Sequence, residues 1–188
     1  MRGRWLIYGL FCPATVGLLV GLLLSSATGL AHSVLRLGTW LLSIEQARVA
    51  VLDWQNIQQV AATVEDGPES RLTSFRRLTV AVIGLELLGF YLAIGWPGWG
   101  ALTVLVAQVL FNGGATIALF PQAAVPVVPW GLRERLPVLV ADLVGVALAG
   151  LWILDVARLG SAIALLTLVL VYLIFKYASE LGQPVPPE

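Results

Sequence analysis

The stretch LLGFYLAIGWPGWGALTVLVAQVLFNGGATIALFPQAAVPVVPWGL, residues 87–132, contains no Asp, Glu, Lys or Arg. A membrane-spanning helix needs roughly 20 consecutive apolar residues, so the run is long enough for two. Gly95-Trp96-Pro97-Gly98 divides it with a tight turn, because Gly and Pro are the strongest local breakers of regular structure. The pattern repeats outward in both directions. Residues 5–31 are also free of charge, and two further apolar runs begin after Pro137 and Gly160. The runs are continuous rather than alternating, which argues against a membrane β-barrel. With 59% hydrophobic and 12% charged residues, against about 45–50% and about 25% in soluble domains, the chain fits neither a soluble enzyme nor a disordered segment. Its mean hydropathy of +0.90 agrees.

These runs predict an all-α, polytopic transmembrane helix bundle with six spans, over residues 5–30, 34–55, 76–95, 99–120, 137–155 and 160–178. Residues 1–180 form a single transmembrane domain with a short cytoplasmic helical hairpin around residues 56–76. Residues 181–188, with Pro184-Val185-Pro186-Pro187, form an extended or disordered tail. Pro13 kinks the first span. That span is too long for a signal-peptide core of roughly 7–15 residues, so it is read as retained.

The second span decides the topology, because it carries Arg36, Glu45, Gln46, Arg48 and Asp53. The alternative is five spans plus one interfacial helix, with Trp40, Ile44, Ala47, Val51 and Trp54 lying along the membrane surface. Charge placement excludes the five-span form with its N-terminus inside and leaves the form with its N-terminus outside as the competitor to six spans, the arrangement expected. Both termini are then cytoplasmic (or on the equivalent stromal side), and Arg2, Arg4, Arg71, Arg76, Arg77, Arg133, Arg135 and Lys176 all lie inside, as the positive-inside rule requires. Trp5, Tyr8, Trp54, Trp130, Tyr172 and Tyr177 then fall near the inner interface, and Tyr91, Trp96, Trp99 and Trp152 near the outer one, the depths that Trp and Tyr favour. The expected setting is a bacterial inner membrane or its equivalent.

Lys+Arg and Asp+Glu both total 11, so the net charge is zero and no basic excess draws nucleic acid. Cys12 and His32 each occur once. A single chain therefore has neither an internal disulfide nor a Cys/His zinc site. His32 near the outer surface is the lone candidate ligand for a metal or a chlorin magnesium, against a capping or solvent-facing role. Walker-type loops, G-x-G-x-x-G and H-E-x-x-H are absent, which argues against familiar enzymes.

Two patterns remain as candidate sites. Gly17, Gly21, Ser25 and Gly29 recur every four residues, and Ala141, Gly145 and Ala149 repeat the pattern in the fifth span. Such small-residue faces let another backbone approach closely, either inside the bundle or on a partner subunit. Counting from the span ends puts Glu45, Arg48, Glu86 and Gln108 near mid-membrane. Asn112 lies one turn inward of Gln108, and Asp142 lies one to two turns from the inner surface. A central Asp or Arg costs about 2.5–3.5 kcal/mol on insertion scales, so these groups face the bundle interior and pair. Glu45 and Arg48 can pair along one helix face, or Arg48 can bridge to Glu86. The cluster is either an interhelical network or a midplane site for a solute, proton or cofactor. Asn112-Gly113-Gly114 lies inside the predicted fourth helix, where it could expose carbonyls to a ligand.

Gly98-Trp99-Gly100-Ala101 leading to Gln108-Val109-Leu110-Phe111-Asn112, and Pro129-Trp130-Gly131-Leu132-Arg133-Glu134-Arg135-Leu136-Pro137 leading to Ala141-Asp142, resemble small polytopic membrane proteins of cyanobacterial type. The resemblance covers about a quarter of the chain and implies a photosynthetic-membrane setting, with no catalytic motif to transfer. The leading functional expectation is a non-catalytic accessory, assembly or stabilising subunit of a larger membrane complex, with the lipid bilayer and other membrane subunits as partners. The alternatives are a small transporter or channel-like protein using the midplane polar site, and a pigment- or quinone-binding protein. The sequence itself requires no cofactor.

Overall fold

The computed structural model describes residues 2–24, 29–63, 69–123 and 125–181. Ser25, the tip of the predicted hairpin and the predicted tail from residue 182 lie outside the described residues. Among the described residues the chain forms six helices: α1 (Arg2–Leu23), α2 (Leu30–Thr63), α3 (Glu69–Gly95), α4 (Pro97–Gly114), α5 (Leu132–Ile153) and α6 (Arg158–Leu181). A small antiparallel hairpin, β1 (Ile117–Leu119) and β2 (Val127–Pro129), joins α4 to α5 and pairs Ala118 with Val128.

Four stretches are long and apolar enough to cross a membrane: Gly3–Leu23, Arg71–Gly95, Leu132–Ile153 and Arg158–Ala178. The surface suits lipid. Trp5, Leu6, Val16 and Val20 on α1, Val140 and Leu143 on α5, and Ile163 and Ile174 on α6 are all exposed. Glu45, Gln46, Glu86 and Asn112 are buried. An apolar outside around a partly polar inside reverses the arrangement of a soluble domain, where charged residues are almost never fully buried. The reversal is what hydrocarbon as solvent demands.

Several boundaries differ from the sequence expectation. The first helix ends at Leu23, so its four-residue repeat of small residues stops at Gly21. Gly29 instead precedes α2 with a φ of 87°, a left-handed conformation open to Gly without a Cβ penalty. The fourth helix ends at Gly114 and does not run on to Phe120, so Asn112-Gly113-Gly114 is its terminus and not a loosened interior. Ala115 is already extended, and β-branched Thr116 and Ile117 lead into the hairpin, where such side chains fit the pleat. The Pro-rich segment expected as a plain loop supplies β2, and α5 begins at Leu132, not Pro137. Pro137 lies inside α5, one residue beyond its fifth position, where it leaves the Arg133 carbonyl without its helical N–H donor.

Tight contacts hold the helices together. In lipid, helices associate through van der Waals packing rather than water exclusion, and small residues permit it. Gly89 faces Val104 and the Gly100 carbonyl, and Gly100 faces the backbone of Ala93, so α3 and α4 meet almost backbone to backbone. Phe11, Ala14 and Leu18 of α1 pack with Ala47, Ala50 and Val51 of α2 and with Phe90 and Ala93 of α3. Arg36 of α2 donates from Nη1 to the Gly21 carbonyl at 2.9 Å, placing a cation at the negative end of the α1 dipole.

Around the bundle, α2 touches α3, α3 touches α4, α4 touches α5, α5 touches α6, and α6 returns to α2. The five helices form a closed ring, and α1 packs outside it against α2 and α3. One end of the ring, here the top, carries the turns at Trp96 and before Arg158. It is filled by Leu35, Ala101, Leu105, Ala149, Trp152, Ala162 and Leu165. The other end, the base, carries the hairpin. Ile57, Phe75, Ala115 and Ile117 close it, with Phe111 and Leu119 packed against them.

Candidate functional site

Between these two apolar plugs the ring encloses a cavity of about 700 Å³. Each wall follows helical periodicity. α2 presents Leu42, Gln46, Val49, Ala50 and Asp53, α3 presents Thr79, Val82, Ile83 and Glu86, and α4 presents Leu105, Gln108, Phe111 and Asn112. The α5 wall is Pro137, Val138, Ala141 and Asp142, and the α6 wall includes Leu168, Val171, Tyr172, Phe175 and Lys176. The lining is mostly apolar, with polar side chains converging on it from all five helices. Small-molecule pockets share that composition, with volumes of roughly 300–1,000 Å³.

The six midplane polar residues anticipated from sequence fall into three separate groups around this space. Glu45 and Arg48 stand behind the wall, where they tie α2 to α6. Arg48 donates to Glu45 from Nε at 3.0 Å and from Nη2 at 2.9 Å. Lys176 Nζ lies 2.6 Å from the same carboxylate, and the Tyr177 hydroxyl donates to it at 3.0 Å. The Arg48 guanidinium also stacks 5.2 Å from the centre of the Tyr177 ring. Glu45 retains 2% exposure, so these donors hold the charge that burial would otherwise penalise.

The second group joins α3 to α4, with Gln108 donating from Nε2 to Glu86. Glu86 is thus matched by a neutral amide, and Arg48 is engaged by Glu45. The third group fastens α4 to α5. Asn112 donates from Nδ2 to Asp142 at 2.8 Å, while its carbonyl accepts a long contact from Arg135 Nη1 at 3.5 Å. Arg135 also donates from Nη2 to the Ile117 carbonyl at 3.0 Å and lies 5.4 Å from the centre of the Phe111 ring. It therefore pins the hairpin to the base of the cavity.

Several residues of this site are not evident from the sequence. Gln46 and Asp53 are seven apart on the cavity face of α2, a spacing that could have flagged them. Lys176, the only lysine in the chain, reads from sequence as an inner-end charge, although it lies on the cavity wall. Tyr177 and Arg135 give no local signal, because their partners lie on other helices. Asp53 stands apart from the rest: among the described residues it lines the cavity without a hydrogen bond or ion pair.

The wall is open on one side. The buried residues of α5 are Gly145, Ala149 and Trp152, all in its top half. In the base half, Val138 is 41% exposed, and on α6 Val171 and Phe175 are 43% and 72% exposed, yet all three line the cavity. The gap between the base halves of α5 and α6 therefore faces outward, toward the surface that the apolar side chains cover.

The small residues of the two candidate faces are occupied mainly from within. Gly17 faces Ile94, Gly21 faces Arg36, and Gly145 faces Leu105 and Leu168. Ala149 is fully buried in the top plug, and Ala141 lines the cavity. Gly29 has open space around it. His32 packs edge-on against Trp152, with ring centres 5.1 Å apart, and no group of three or more His, Cys, Asp or Glu that could hold a metal ion occurs among the described residues.

Comparison with protein-family models, with curated proteins and with solved structures finds no match to this chain. Its functional reading therefore rests on the cavity.

Proposed function

We propose that this chain is a six-span membrane protein of transporter type, both termini cytoplasmic, whose central cavity binds a small amphiphilic molecule. The observation that carries the reading is the cavity itself: an apolar space within five helices, with polar groups aimed into it and one side open. Crossing by α2 and α4 completes the six spans. The ring supports this, because α2 and α4 supply two of its five walls and present Gln46, Asp53, Gln108 and Asn112 inward. With 34 residues, α2 is about 51 Å long, against a hydrocarbon core of about 30 Å, so its last turns project past the membrane. The positive-inside rule sets the orientation.

The accessory-subunit expectation has less support, since Gly17, Gly21, Gly145 and Ala149 pack against helices of the same chain. A photosynthetic setting, and a chlorin or quinone as occupant, rest on the sequence resemblance and on the size of the cavity alone. Native mass spectrometry of the mildly purified protein separates these readings. The transporter reading expects a single chain that retains a small molecule, lost when Gln108→Leu removes an amide from the wall. Recovery only as a stoichiometric complex with other subunits, with no small molecule held, would overturn it.

A further inference from the structure

The charges on the cavity wall are unbalanced. Asp53, Glu86 and Asp142 supply three carboxylates, and Lys176 is the only cationic side chain among the lining residues. Lys176 is already committed: its ammonium lies 2.6 Å from Glu45 Oε1 and donates to the Tyr172 hydroxyl at 3.0 Å. Arg135 points its two terminal nitrogens at Ile117 and Asn112. Glu86 and Asp142 each accept from a neutral amide, and Asp53 accepts from nothing among the described residues. Asp53 lies within electrostatic reach of Glu86 and also of Lys176 and Arg135, neither of which bonds to it directly. Glu86 is buried and Asp53 half-buried. Carboxylates so placed with no cation bonded to them are costly in a medium of low polarity, and a cation placed between the two would offset that cost for both.

The rest of the wall sets the shape of that cation. A bare metal ion or ammonium would leave the apolar side chains around it unfilled, whereas an organic cation with an apolar body fills them. The opening between the base halves of α5 and α6, rimmed by Val138, Val171 and Phe175, gives such a molecule a sideways route from the bilayer. We infer that the cavity is a site for lipophilic organic cations, such as protonated amines with apolar substituents, with Asp53 as the residue that reads the charge. The inference rests on the proposed binding role of the cavity and specifies its ligand class.

The test uses the full chain in nanodiscs and three probes: the isosteric ions tetraphenylphosphonium (cationic) and tetraphenylborate (anionic), and tetraphenylsilane (neutral) of the same shape, with empty nanodiscs as the blank. Saturable binding of one tetraphenylphosphonium per chain is expected, with at least tenfold preference over the other two. Asp53→Asn should weaken it at least tenfold and Asp53→Glu should restore most of it. Asp155→Asn, on the turn before α6, should leave it unchanged, and thermal melts of each variant report folding. Val138→Trp should slow association severalfold. Equal or tighter binding of the neutral or anionic probe would overturn the cation assignment while leaving a ligand-binding cavity in place, as would an Asp53→Asn variant that binds like wild type. Failure of all three probes to bind would overturn both the inference and the binding role beneath it.

Discussion

Replacing Glu45 by Gln removes one negative charge from a site where Arg48, Lys176 and Tyr177 all donate to the same carboxylate. The amide keeps one acceptor oxygen and turns an N–H₂ toward two cations, so at least one cation loses its carboxylate. Breaking a buried ion pair from one side costs about 3–5 kcal/mol. The Arg48 and Lys176 side chains retain 28% and 23% exposure and can recover part of their solvation, which places the expected loss near about 3 kcal/mol. That is a large share of a typical total stability of about 5–15 kcal/mol. Unfolding in mixed micelles at rising SDS fraction, followed by near-UV circular dichroism, measures it. Adding Lys176→Met to Glu45→Gln should recover a substantial part of the loss, because it removes an ammonium that has lost its carboxylate. A single variant within about 0.5 kcal/mol of wild type, or a double variant whose loss equals the sum of the two single losses, would refute the reasoning.

Gly100→Ala should destabilise the bundle by more than about 2 kcal/mol, because the added methyl meets the Ala93 backbone and overpacking of this kind typically costs about 1–3 kcal/mol. Gly84→Ala, whose Cβ meets nothing within 4 Å, should instead be neutral or stabilise by up to about 1 kcal/mol through helix propensity. The same unfolding assay reads both, and equal effects would contradict the close α3–α4 approach. Arg135→Gln should raise hydrogen exchange in the hairpin about tenfold, since a hydrogen bond from a charged donor is worth about 1.5–3 kcal/mol. Unchanged protection of Ala118 and Val128 would show that Arg135 does not hold the hairpin in place.

Much of the bundle is legible in the sequence, because long apolar runs are read by composition alone. The segments around residues 5–23, 76–95, 137–153 and 160–178 need no knowledge of their neighbours. The end of α4 is harder to read. Asn112-Gly113-Gly114 is compatible with a close-packed helix interior as well as with a terminus, and the β1 residues just beyond it are fixed by pairing with Val127, Val128 and Pro129. The polar residues are legible as residues that must face inward, but their partners are not. Glu45 depends on Lys176 and Tyr177 at the far end of the chain, a pairing created by ring closure that no local spacing encodes. Asp53 is illegible for the opposite reason: it lines the cavity with no hydrogen bond or ion pair among the described residues, a property visible only once every wall of the cavity is in place.

The ring closes only if α2 crosses the bilayer, and cysteine labelling from the two sides of a sealed vesicle tests this directly. With Cys12→Ser as background, single cysteines are placed at Leu30 and Ala62, both exposed at opposite ends of α2, and treated with a membrane-impermeant maleimide. A crossing helix predicts that each cysteine reacts from one side only and that the two sides differ. Reaction of both from the same side would mean that α2 lies along the membrane surface, with no ring and no central cavity.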